Sequence, residues 1–118
     1  MRLGPLVLYA RVPGRTAAFY RALGVGFEAR SDGRHVAEVD GLTVAIVEGR
    51  PGEIAAAMAV PGAAMIGLRV ASVDEAILAM HQLGGTIVRH TEALDWGRRA
   101  VVADPDGRAV ELTDDIRT

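Results

Sequence analysis

The sequence predicts an α+β fold made of two β-α-β-β-β units, on three observations. The order of local signals along residues 6–48 recurs along residues 65–113. The copies align without gaps at an offset of sixty from first strand to helix end, pairing Leu23-Gly24 with Leu83-Gly84. At an offset of sixty-six, Asp40-Gly41 of the first copy matches Asp106-Gly107 of the second. One supersecondary unit used twice explains all three.

In the first copy, residues 6–12 are an apolar, β-prone run. Residues 16–23 carry Phe19, Tyr20 and Leu23 at helical spacing, and Gly24 is placed to cap that helix. Three short strands are expected at 27–30, 35–39 and 42–48, punctuated by Asp32-Gly33 and Asp40-Gly41, both two-residue hairpin signals. Residues 49–62, bracketed by Pro51-Gly52 and Pro61-Gly62, read as a connector with room for a short Ala-rich helical turn. The second copy opens with a strand at 65–70. Ser72-Val73-Asp74-Glu75 is a capping box that starts a helix with Val73, Ile77 and Met80 on one side, ending at Leu83-Gly84-Gly85. Strands follow at 86–90, 98–103 and 108–113, with the six extra residues of this copy in a 91–97 loop. The chain of 118 residues therefore reads as one domain, with unit one at about 1–49, a connector at 50–63 and unit two at about 64–118.

The last hairpin is the most informative stretch. Asp104-Pro105-Asp106-Gly107 prescribes a tight turn, because proline presets φ at about −65° and glycine accepts a positive φ. The carboxylates of Asp104 and Asp106 are expected to serve the local backbone. In the strand that follows, period 2 turns Val110 and Leu112 toward a helix-covered core and Glu111 toward the opposite face. A carboxylate presented there is a candidate functional group.

Composition narrows the function classes. A net charge of −2 with scattered arginines gives no bias toward nucleic acid or an anionic membrane. No apolar run approaches bilayer-spanning length and the N-terminus lacks a signal-peptide pattern, so the expected location is cytoplasmic. The absence of cysteine excludes disulfides, thiolate metal sites and thiol nucleophiles. All thirteen basic residues are arginine, which excludes a lysine Schiff base and suits a GC-rich bacterial coding sequence. No glycine cluster opens a helix in the manner of a nucleotide loop. His35, His81 and His90 match no metal spacing and suit surface or capping roles. Met58, Met65 and Met80 suit adaptable apolar packing.

Phe19-Tyr20-x-x-Leu23-Gly24, Trp96-Gly97-x-Arg99 and the Asp-Pro-Asp-Gly-x-x-x-Glu-Leu run at 104–112 together resemble the vicinal oxygen chelate superfamily. That group includes glyoxalase I, extradiol dioxygenases, fosfomycin-resistance enzymes and bleomycin-resistance proteins. The resemblance spans nearly the whole chain. It implies that the two units form a cupped, eight-stranded mixed sheet with the helices on the outer face. In metal-dependent members each unit supplies two ligands, one on its first strand and one on its last. By the offsets, those positions are Pro5, Ala45, Met65 and Glu111 here. Pro5 and Ala45 have no donor side chain, and the Met65 thioether is a poor ligand for Zn²⁺, Ni²⁺, Mn²⁺ or Fe²⁺. Sliding Glu48 into the second position would still leave two carboxylates and no imidazole. The resemblance therefore implies a cup with neither metal nor other cofactor. Bleomycin-resistance proteins, which lack the metal, use such a cup to hold a drug.

Alternation places Val7, Tyr9, Gly67, Arg69, Ala109, Glu111 and Thr113 on the cavity face. Leu6, Leu8, Ile66, Leu68, Val70, Val110 and Leu112 then pack under the helices. Tyr9 and Arg69, mated at the offset of sixty, join Met65 and Glu111 as candidate ligand contacts. Trp96, on the long loop, suits a wall stacking on a planar ligand, and equally a contact with a second subunit. Arg69 equally suits a structural ion pair with Glu111. No catalytic residue is assigned, although Glu111 is a candidate base if desolvation raises its pKa. The expected function is binding of a small molecule, an antibiotic or a hydrophobic or aromatic metabolite, by a homodimer with residues 49–62 as crossover. The alternatives are a lyase, isomerase or dioxygenase-like enzyme using Glu111 and Arg69, and a structural or regulatory module with a collapsed cavity.

Overall fold

The computed structural model describes Met1, residues 4–49 and residues 65–115, so the connector expected at 50–63, with its helical turn and Met58, lies outside the described residues. The chain divides into two units, Met1–Ala63 and Ala64–Thr118, and each builds its own four-stranded mixed sheet.

Unit one contains β1 (Leu6–Ala10), α1 (Pro13–Ala22), β2 (Glu28–Ala29), β3 (His35–Val39) and β4 (Leu42–Glu48). Its sheet order is β1-β4-β3-β2, with β1 parallel to β4 and the other pairs antiparallel. α1 starts three residues earlier than the apolar spacing predicts, because Pro13 occupies the first turn, where a missing N–H breaks no helical bond. It ends at Ala22, and Gly24 follows at φ 102°, as its capping position requires. Phe19 and Tyr20 are buried edge to face with ring centroids 5.1 Å apart, and Phe27 joins Tyr20 at 6.0 Å. Asp40 (φ 50°) and Gly41 (φ 83°) form the two-residue turn between β3 and β4. Asp32-Gly33 does not form a two-residue turn. Arg34 N donates to Asp32 Oδ1 at 3.0 Å and Arg30 N to Arg34 O at 2.7 Å, closing a longer turn that leaves β2 only two residues. Leu6, expected under the helix, is exposed at the start of its strand, whereas Leu8 is buried.

Unit two contains β5 (Ile66–Arg69), α2 (Val73–Met80), β6 (Thr86–Leu94), β7 (Gly97–Ala103) and β8 (Ala109–Asp115). Its order is β5-β8-β7-β6, again with only the first pair parallel. Ser72 Oγ accepts from Glu75 N at 3.2 Å, the bond the capping box predicts. Val73, Ala76 and Met80 form the buried side of α2, with Ala76 where Ile77 was expected. In the β7–β8 turn Gly107 adopts φ 86°, and Asp104 Oδ1 accepts from both Asp106 N (2.9 Å) and Arg108 N (3.0 Å).

The largest departure is β6. It continues to Leu94, and Asp95-Trp96 alone separates it from β7. Register irregularities between Ile87 and Arg89 and between Arg89 and Glu92 absorb the extra residues, so they lengthen a hairpin instead of forming a 91–97 loop. The repeat also holds in strand pairing. Leu6 lies beside Val44 and Ile66 beside Val110, so both partners are mates at sixty and sixty-six.

Candidate functional site

β8 alternates as period 2 demands. Val110 and Leu112 are fully buried, whereas Glu111 and Thr113 are only partly buried on the other face. Register then names the neighbours of each. Glu111 lies between Gly67 of β5 and Val101 of β7, and Arg89 of β6 lies beyond Val101. One row along, Thr113 lies between Arg69 of β5 and Arg99 of β7, with Glu92 beyond Arg99.

The ion pair formed at Glu111 is with Arg99. Arg99 Nε donates to Glu111 Oε2 at 2.6 Å, and its Nη1 lies 3.5 Å from Glu92 Oε1. This is the diagonal reach available to long side chains on one sheet face. The Glu111 hydrogen bond, followed by the charges of Glu111 and Glu92, pushes the Arg99 guanidinium above its ordinary range despite some desolvation. Arg99 is therefore a fixed cation held between two carboxylates. The sequence reading singled out Arg99 only as part of a motif. Counting back from the Asp-Pro-Asp-Gly turn would have placed it diagonal to Glu111.

The other candidates are placed as follows. Met65 and Pro5 immediately precede β5 and β1, and both are exposed. Arg69 ends β5, one row from Glu111. Tyr9 lies in β1 of unit one beside Val47. Trp96, 50% exposed, sits in the tight β6–β7 turn, not on a long loop. The adjacent Gly97 pairs with Asp115, four positions along β8 from Glu111, or roughly 13 Å at ordinary strand rise. Unit two thus gathers Glu111, Arg99, Gly67, Thr113 and Arg69, and sets Trp96 apart from them. Arg21 Nη2 contacts His35 Nδ1 at 3.3 Å, His81 caps the C-terminus of α2, and His90 lies within β6.

These residues do not fit the metal that the resemblance brings to mind. Pro5 and Ala45 offer no side-chain donor, and the one carboxylate in the set already accepts a charge-assisted bond from Arg99. Among the described residues, no three His, Asp or Glu side chains gather as a metal site would require.

Comparison with known proteins gives this architecture relatives. The model of the family described as a glyoxalase-like domain matches residues 6–113. An uncharacterized protein of Mycolicibacterium smegmatis (strain ATCC 700084 / mc(2)155) is 33% identical over 92 residues, covering 78% of this chain and 75% of the relative. Among solved structures, hypothetical protein SA1046 from S. aureus superposes with a TM-score of 0.77 at 20% identity, covering 97% of this chain and 94% of that one. The genomically encoded fosfomycin resistance protein FosX from Listeria monocytogenes gives 0.70 at 19% identity, covering 98% and 94%. A glyoxalase/bleomycin resistance protein/dioxygenase family enzyme from Burkholderia phytofirmans PsJN gives 0.71 at 15% identity, covering 94% and 96%. At these identities the structural likenesses show a shared fold.

Proposed function

The chain belongs to the glyoxalase-like domain family, and on that premise we propose that it is a small-molecule binding protein that works without a metal. One observation carries the reading. Glu111, the one hard donor among the four ligand positions, accepts from the chain's own Arg99 at 2.6 Å. A metal ion would have to displace that bond and would then find too few further donors among the described residues. What the face retains is binding equipment: a carboxylate acceptor and guanidinium donors held on a sheet. The same bond weighs against Glu111 as a general base, since one of its oxygens is already committed to a permanent cation.

The ligand in this reading is a small molecule with an apolar or aromatic body, such as a metabolite or an antibiotic. Met65, Arg69 and Glu111 of unit two are its proposed contacts. The protein is read as a cytoplasmic homodimer. Half-exposed Trp96 of unit two is the proposed subunit contact. Among the described residues, no helix is long and apolar enough to cross a membrane.

Metal analysis of the dialysed protein, combined with thermal shift, tests the proposal. Substoichiometric metal is expected, together with no melting response to Mn²⁺, Ni²⁺ or Zn²⁺. Aromatic acids or antibiotics are expected to raise Tm, because a ligand of the native state stabilises it. One equivalent of tightly held metal, lost on Glu111→Gln, would overturn the reading.

A further inference from the structure

We infer that Gly67 is the floor of a ligand subsite in unit two, one that takes the hydroxy-carboxylate end of a small molecule. Arg69 holds the carboxylate and Glu111 accepts from the hydroxyl. The inference rests on the proposed binding function and names the chemistry of its ligand.

Nothing among the described residues gives Gly67 a structural reason. It lies inside the four-residue strand β5, where glycine weakens a strand and often marks the close approach of a ligand. Its backbone does not require it, since the glycines at positive φ are Gly24, Gly33, Gly41, Gly84 and Gly107. Crowding does not require it either, because a Cβ built there meets nothing within 4 Å among the described residues. In the first copy the mate at offset sixty is Val7, a strand former that is 41% exposed. The second copy thus has glycine where the first has valine, and nothing among the described residues would displace a side chain there.

Gly67 sets no side chain beside Glu111, its register partner. Arg99 fixes the Glu111 carboxylate through Oε2, and a carboxylate has lone pairs to accept further bonds. Arg69 lies two strand positions from Gly67, roughly 6.6 Å along β5, on the same face. A guanidinium has five N–H donors, so whatever protein partner Arg69 holds, its fork can still engage a carboxylate. A small hydroxy acid offers a carboxylate acceptor to Arg69 and a hydroxyl donor to Glu111.

The test uses the full chain, with mandelate and lactate as probes and their methyl esters as controls, titrated by calorimetry and followed by thermal shift. Mandelate is expected to bind the wild type, with its ester about tenfold weaker or worse. Gly67→Val is expected to melt at or above the wild-type temperature and to bind the acids at least about tenfold more weakly. Arg69→Gln, which leaves β5 free of any new Cβ, is expected to lose the preference for acid over ester, and it decides the question should Gly67→Val fail to fold. Wild-type affinity in Gly67→Val, equal binding of acid and ester, or no acid binding to the wild type would each overturn the subsite. A compound of another class that binds wild type and Gly67→Val alike overturns the subsite but leaves metal-independent binding standing. A tightly held metal overturns that function whatever Gly67 does.

Discussion

Glu111 and Asp114 lie three positions apart on β8, and period 2 turns them to opposite faces. Asp114 points inward and is 1% exposed. Its Oδ2 accepts from Val73 N at 2.6 Å, and its Oδ1 from Arg98 N at 3.3 Å. The Arg98 guanidinium, 3.4 Å away, links it to Asp74. A helix N-terminus has N–H groups without intrahelical partners, and Asp114 supplies one from the sheet. The first copy has no such need. There Pro13 replaces Val73, with no N–H to satisfy, and Glu48 replaces Asp114 and is exposed. An acid at an inward strand position looks like a misfit in the alternating pattern, so only the Pro13-for-Val73 difference could have exposed its role. The Val73 hydrogen bond, assisted by Arg98, holds the Asp114 carboxyl below its ordinary range against the opposing effect of burial. The folded pKa is thus lower than the unfolded one. Its contribution is complete above about pH 4, the ordinary range of an aspartate, and is lost as pH falls through the folded pKa. Asp114→Asn should cost about 1–3 kcal/mol at neutral pH, the cost of a poorly satisfied buried group. Urea unfolding at falling pH should show that difference shrinking in acid. A difference independent of pH would rule out the anion as the stabilising form.

The elements were legible where turn chemistry is local. Asp40-Gly41 and Asp104 to Gly107 place their hairpins because left-handed φ and side-chain-to-backbone bonds are written in the turn residues themselves. Ser72 does the same for α2. β6 was not legible past residue 90. Asp95-Trp96 lacks the glycine that announces a two-residue turn, and the strand persists through its pairing with β7 despite register irregularities. The pairing of Arg99 with Glu111 was hidden for a related reason: it belongs to the register between two strands and to neither alone. Two glycines separate local constraint from open space. Gly107 at φ 86° is held in a conformation that side chains resist, so Gly107→Ala should destabilise by about 1–2 kcal/mol. Gly67→Ala, free of strain and of neighbours, should be neutral or stabilising. Paired urea melts measure both, and equal losses at the two sites would contradict this division.

For the whole molecule, the duplication was legible because offsets survive in strand register, and the family was legible from short motifs at 19–24, 96–99 and 104–112. Assembly leaves a weaker trace in a single chain. Trp96, the only tryptophan, makes it measurable. The register puts it roughly 13 Å along the sheet from Glu111, beyond the length of an indole, so a subunit contact suits it better than a lid over the ligand in the same chain. Its half-exposed ring should become drier when two chains meet. The expected result is a species of twice the chain mass in sedimentation, with an emission maximum that moves to shorter wavelength as protein concentration rises through the dimerisation range. Trp96→Ser should shift that equilibrium toward monomer while leaving mandelate affinity within about threefold, since a side chain this far from Glu111 contributes no direct contact. Emission that instead follows a mandelate titration at constant sedimentation would return Trp96 to the ligand and remove it from the interface.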